Sequence, residues 1–325
     1  MHRKIRLAAL AVGCLMIASS SSPAAAKPKV VVTIKPLHAL VAGVMVGVGT
    51  PDLLVKGASS PHTYALKPSD ARLLNGADLF FRMSERVEPF TVKVIKSLPR
   101  RVQVVTLRSA PGLKLLEIRT GTTFERHAHG GDHKHDRKHD HNHDQDHADE
   151  ADTIDGHAWL DPDNAKAMVV NIEQALSAKD PANAAVYKAN AQALTAKLDA
   201  LAAELEQALQ PVAGKAYIVF HDAFQYFEKR YGLNAVGSIS VSPEVPPSAK
   251  RLTELRKKVT SLTATCVFAE PQFDTRLVKN LVEGTPVRTG TLDPEGGRLE
   301  PGPELYFALM RGLAAGLRGC LAPPA

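Results

Sequence analysis

The chain lacks an apolar run long enough to cross a bilayer. Leu7–Ala18 covers about twelve residues, where a membrane span needs roughly twenty. That run follows Arg3, Lys4 and Arg6 and leads into small residues ending Ala24-Ala25-Ala26. This is the pattern of a secretory signal, residues 1–26, cut before Lys27. A lipoprotein cut at Cys14 would leave an apolar region of only about seven residues, so the signal is the reading we adopt. A large charge of one sign is also missing. The formal charge is +6, and losing three cations and no anions with the signal leaves about +3, too little to imply nucleic acid as a partner. The catalytic signatures H-E-x-x-H, G-x-S-x-G and a Gly-rich phosphate loop are absent as well. Cysteine is scarce: of three in all, Cys266 and Cys320 remain in the mature chain. Export would place both in an oxidising compartment, where a pair tends to bond. The loop so closed spans about 54 residues; two separate buried thiols are the alternative.

What the chain does have is the composition of packed cores, with 44% apolar residues. Short β-branched runs bounded by Gly, Pro or Asp read as buried strands: 30–34, 52–55, 78–83 and 101–106. Helical stretches alternate with them at 37–48, 68–75 and 85–97. Pro68 and the acceptor Ser69 fit a helix start. The alternation resumes after Pro211, with strands at 217–220, 235–240, 266–269 and 287–289 and helices at 248–262, 275–283 and 303–321. Such alternation means mostly parallel sheets with helices on their faces. The expected architecture is α/β, with two Rossmann-like lobes, 27–181 and 211–325.

Between the lobes lies 182–210, rich in Ala, Leu, Glu and Lys and free of Gly. Val186, Ala189, Ala193, Leu194, Leu198, Leu201, Leu205 and Leu209 recur at three- and four-residue spacing. One rigid helix of about 40 Å should join the lobes. Its many alanines and few heptads favour packing on its own protein over a coiled coil.

Residues 125–152 break the first lobe. They hold nine acids, four bases and eight histidines, and almost no large apolar side chain. A stretch of this kind cannot bury enough surface to offset its ordering entropy, so we expect a disordered insertion. Its donors are His127, His129, His133, His135, His139, His141, His143 and His147.

Outside the signal and the insertion, four histidines remain. His62, in GASSPHTYALKPSD, lies just past a strand. His157, in DGHAWLDPDNA, lies where the insertion returns to structure. His221, in AYIVFHDAF, directly follows an apolar strand. Ligands of open parallel sheets bind beyond the carboxyl ends of strands, so one ligand held by all three would sit in the inter-lobe cleft. His38 differs: it begins an apolar helix and suits a helix-face or capping role. Three neutral imidazoles suit zinc ahead of copper, nickel or iron. Zinc usually takes a fourth ligand, and Asp293, in GTLDPEGG, is the protein's candidate; turn chemistry explains that residue equally well. Glu270 and Asp222 are placed to orient a ligand's other nitrogen.

The stretches TIKPLHALVAGV, GASSPHTYALKPSDARLLNGADLFF, DGHAWLDPDNA, IVFHDAFQYFEKRYGL, CVFAEPQF and GTLDP, with the histidine-rich insertion, resemble the solute-binding component of high-affinity zinc ABC importers. That metal-binding cluster also contains manganese-binding members. The resemblance runs from Val30 onward. It implies Zn2+ held between two lobes by His62, His157 and His221, with Asp293 or water as the fourth ligand. It also implies a rigid helical linker, a second-lobe disulfide matching Cys266–Cys320, and a soluble periplasmic protein delivering to a membrane permease and its ATPase. One departure is Pro61: some zinc-binding members carry an acidic ligand immediately before the first histidine, and proline cannot serve. A carboxylate in place of the third histidine would harden the site towards manganese; His221 keeps it nitrogen-rich.

Within that frame the insertion has many donors and no fixed geometry. Ordering it costs affinity, which suits a low-affinity collector feeding a tighter site. Two other readings of the chain are an exported zinc-dependent hydrolase and a periplasmic zinc store without a transporter.

Overall fold

The structure is a computed structural model and describes residues 27–119, 124, 153–240, 248–261 and 265–322. The expected signal, 1–26, and the histidine-rich residues 125–152 lie outside the described residues.

Two four-stranded sheets organise the chain. The first joins β1 (Val30–Val32), β2 (Asp52–Leu53), β3 (Leu79–Arg82) and β4 (Gln103–Thr106) in the order β2-β1-β3-β4. The second joins β5 (Ala216–His221), β6 (Asn234–Ser240), β7 (Cys266–Ala269) and β8 (Arg288–Thr291) in the order β6-β5-β7-β8. Every pairing between these strands is parallel. Parallel strands are covered on both faces, so alternate residues enter different cores. Val30 and Val32 face one core and Val31 another; Tyr217 and Val219 face one, Ile218 and Phe220 another.

The helices are α1 (Lys35–Val44), α2 (Pro68–Gly76), α3 (Thr91–Ser97), α4 (Pro162–Lys179), α5 (Ala184–Leu209), α6 (Gln225–Tyr231), α7 (Ala249–Ser261), α8 (Arg276–Val282) and α9 (Leu305–Leu321). Sequence periodicity missed α4 and α6. The signal for α4 was present: Asp161 accepts a hydrogen bond from the Asp163 amide at 2.9 Å, and Pro162 opens the first turn. The seven residues of α6 are too few for a period; Gly232, at φ 62°, ends the helix in a conformation that suits glycine. The helix expected over 85–97 begins only at Thr91. Buried Glu88 holds the preceding chain in turns by accepting from Thr33 Oγ1 and from the Met83 and Ser84 amides at 2.5, 2.9 and 2.8 Å. At α2 the acceptor is Asp70, which takes the Lys67 amide at 2.9 Å, and not Ser69.

The long helix α5 packs on α1, α4 and α9, as its alanine content suggested. Its buried stripe is Tyr187, Ala191, Leu194, Leu198, Leu201, Leu205 and Leu209. The first turns therefore face differently from the sequence reading: Val186, Ala189 and Ala193 are exposed. Tyr187 wins the inward position because its hydroxyl donates to Asp180 at 2.8 Å beneath an otherwise apolar ring. One continuous core runs from β1 and α1 through α4 and α5 to β5, β7 and α9, and separate clusters cover the outer faces of the two sheets. The lobes are thus fused through a shared interior.

Cys266 and Cys320 form a disulfide with a Cα–Cα distance of 6.1 Å. It pins the end of α9 to the start of β7. Replacing both cysteines by serine is expected to lower unfolding free energy by about 2–4 kcal/mol, the usual range for a loop of this length. Urea denaturation of the mature protein checks this; an unchanged midpoint would mean that α9 is held by packing alone.

Candidate metal centre

His62, His157 and His221 meet in the cleft. His62 sits on a single turn, Pro61–Thr63, beyond the carboxyl end of β2. His157 directly precedes the turn Ala158–Leu160, and His221 is the last residue of β5. Their ring centroids lie 5.3–5.7 Å apart. One ligand atom from each falls within 4.8 Å of the others, and the Nε2 atoms of His157 and His221 are 3.4 Å apart. His157 and His221 are buried, and His62 is partly so.

In His157 and His221 the other ring nitrogen is held by a carboxylate. Asp155 Oδ1 takes the His157 amide at 3.0 Å and Nδ1 at 2.7 Å. Glu270 Oε1 takes the His221 amide at 3.2 Å and Nδ1 at 2.6 Å. His62 hydrogen-bonds the Arg86 backbone. In each carboxylate pair the partner fixes Nδ1 and leaves Nε2 for the cleft. Asp155 escaped sequence reasoning; the short spacing Asp155-Gly156-His157 was the available signal. Gly156 permits the approach, since a Cβ there would lie 2.5 Å from Val87 Cγ2. Glu270 has the orienting role expected of it. Asp222 does not: its carboxylate binds Arg119.

Asp293 lies outside the convergent group. Its Oδ1 accepts from Gln272 Nε2 at 2.7 Å and from the Glu295 and Gly296 amides at 3.1 and 2.9 Å; its Oδ2 accepts from Gly297 at 2.7 Å. These four donors make it the organiser of the 293–297 turn. That turn is gripped from the first lobe. Lys35 Nζ donates to the carbonyls of Gly296, Gly297 and Leu299 at 3.1, 2.7 and 2.9 Å, and Trp159 Nε1 donates to that of Pro294 at 3.0 Å. His38 is buried on α1 with Nε2 at 3.0 Å from the Pro51 carbonyl, a structural role.

Burial pushes His62 and His157 well below the usual imidazole pKa of 6.5, and the neighbouring rings push the same way. Burial also opposes charge on His221, but Glu270, by charge and hydrogen bond, and then Asp222 and Asp155 carry it above 6.5. Burial raises Asp155 to about 7 against the opposing pull of the His157 amide and Arg119. Asp155 Oδ2 and Glu270 Oε2 are buried with no hydrogen-bond partner among the described residues. Three imidazole donors backed by two carboxylates with spare oxygens favour a divalent cation.

Fold and site together define a two-lobed binding protein whose ligand sits between parallel α/β lobes. The family described as zinc-uptake complex component A, periplasmic (ZnuA), matches residues 30–320, and the chain belongs to that family. It is 49% identical over 313 residues to the high-affinity zinc uptake system protein ZnuA of Brucella abortus (strain 2308), covering 93% of this chain and 94% of the relative. The protein of the same name from Paracoccus denitrificans is 37% identical over 321 residues, covering 94% and 95%. Among solved structures, one titled as the crystal structure of ZnuA superposes with a TM-score of 0.73 at 24% identity, covering 91% of this chain and 100% of that one. The Zn(II)-bound ZnuA-like domain of Streptococcus pneumoniae AdcA gives 0.68 at 23%, covering 92% and 100%. These two likenesses establish the fold.

The shifts order the imidazoles. In metal-free protein His221 should keep its ring proton to higher pH than His62 and His157, which stay neutral to well below 6.5. Glu270→Gln should lower the His221 value by removing the charge that raises it. Nitrogen-detected NMR titration checks both; an order with His221 lowest would contradict the assignment of Glu270.

Proposed function

We propose that this chain captures Zn2+ in the periplasm and delivers it to the permease and ATPase of an ABC importer. The convergence of His62, His157 and His221 carries this reading. Neutral imidazoles are borderline donors that suit zinc better than the hard cations, which prefer oxygen. The two buried carboxylates supply the negative charge that a dication balances. With Asp293 engaged by four donors, water takes the fourth position. The ion is cargo, so the protein's task is to hold and release it without reacting, and no enzymatic role is assigned. The chain is exported, loses residues 1–26 and works as a soluble monomer. The histidines of residues 125–152 act as a low-affinity collector for the cleft.

Elemental analysis of the purified mature protein tests the centre. One tightly held zinc is expected in the wild type, with affinity falling by about 100-fold or more in His62→Ala, His157→Ala and His221→Ala, beyond what loss of a mere orienting partner costs. Asp293→Ala should keep one zinc and lose thermal stability, because the 293–297 turn loses its acceptor. Tight zinc retained in all three histidine variants would refute the assignment.

The collector is tested separately by deleting residues 125–152. Fewer weak zinc sites and slower loading at scarce zinc are expected, with the tight site intact. Unchanged stoichiometry and loading would remove the collector.

A further inference from the structure

We propose that Arg119 is a positioning residue that clasps the two lobes over the metal centre and sets how slowly the ion leaves. This rests on the reading of the centre as a capture site. The geometry begins at the root of the insertion. Glu117 pairs antiparallel with Ile154; the Ile118 amide donates to Thr153 O at 2.8 Å, and the Asp155 amide to Leu116 O at 2.8 Å. One strand of this short ladder ends in Asp155, the partner of His157. On the other, Ile118 is followed by Arg119, whose side chain crosses to the second lobe. Its Nε donates to both oxygens of Asp222 at 3.1 and 3.0 Å, its Nη2 also to Asp222, and its Nη1 to Glu228 Oε2 at 2.5 Å.

Asp222 directly follows His221. The tie therefore links two ring-bearing segments of different lobes by the route His157, Asp155, ladder, Arg119, Asp222, His221. Neighbouring bonds brace the same span. Tyr226 accepts from the Leu116 amide at 3.0 Å and donates to Asp155 O at 2.8 Å, and Gln225 Nε2 donates to Glu117 O at 2.9 Å.

Arg119, Asp222 and Glu228 side chains are 21%, 12% and 5% exposed, against 51% and 48% for the surface pair Arg311–Glu204. Water competes weakly for the first set and freely for the second. The planar guanidinium serves two carboxylates at once, which a lysine ammonium cannot match. An ion held by His157 and His221 escapes when those rings part, and parting them stretches this tie. Truncating one partner of such a desolvated charge pair acts mainly on dissociation.

The test follows zinc release from loaded, full-length mature protein into excess chelator. Arg119→Met is expected to release zinc about tenfold faster or more, Arg119→Lys also faster than wild type, and Arg311→Met at the wild-type rate. Because Arg119→Met strands two carboxylates, it is paired with Glu228→Gln in a double variant. Recovery of metal-free thermal stability in the double variant, with release still fast, supports the clasp. Stability and slow release recovering together would reduce Arg119 to a structural residue and overturn it. Arg119→Met releasing zinc no faster than a zinc-retaining wild type overturns the clasp alone. A wild type that retains no zinc overturns the capture reading and the clasp with it.

Discussion

Three imidazole rings can turn their free nitrogens towards one point in a largely buried cleft only if their other nitrogens are already engaged. An unheld ring would rotate to satisfy its own donor, and buried polar atoms without partners are costly. Asp155 and Glu270 meet this need with oxygens at 2.6–2.7 Å from Nδ1 of His157 and His221. His62 has a hydrogen bond to the Arg86 backbone. These partners come from separate segments, so the geometry of the centre depends on how loops from both lobes meet.

That meeting is secured by packing. A hinge with an open cleft would let the rings drift by ångströms, too far for a small cation whose bonds to nitrogen are about 2 Å long. Here one apolar interior passes from the first sheet through α4 and α5 to the second. Polar ties then lock the rims: Lys35 and Trp159 grip the 293–299 segment on one side, and bonds from residues 116–119 to Asp222, Gln225, Tyr226 and Glu228 span the other. Each lobe supplies strand ends as rigid mounts, the usual location of ligand sites in parallel sheets.

Electrostatics complete the arrangement. Without an ion, Glu270 and the neighbouring carboxylates shift His221 towards its protonated form, and burial raises Asp155. A dication held by these rings would compete with protons for them, which would couple its binding to deprotonation. The same burial that encloses the rings means that parting them would disturb the charged contacts at the rim.

Local pattern was enough for what depends on backbone period and residue chemistry. Short β-branched runs gave the two parallel sheets, and the leucine spacing gave the long helix. The three histidines at strand ends stood apart from the eight in the insertion and from His38. The Cys266–Cys320 pairing was readable from compartment and count, and from resemblance. Tertiary structure alone decided matters set by which loops touch. It brought Asp155 to His157, gave the Asp222 carboxylate to Arg119 rather than to a ring nitrogen, and occupied Asp293 with the amides of its own turn. It also chose Tyr187 over Val186 as the inward face of α5, because Asp180 waits there for a hydroxyl. The physical reason is one of range. Periodicity and turn chemistry act over a few residues, whereas a carboxylate's partner is fixed by burial and distance among segments up to about a hundred residues apart, as Arg119 and Asp222 are.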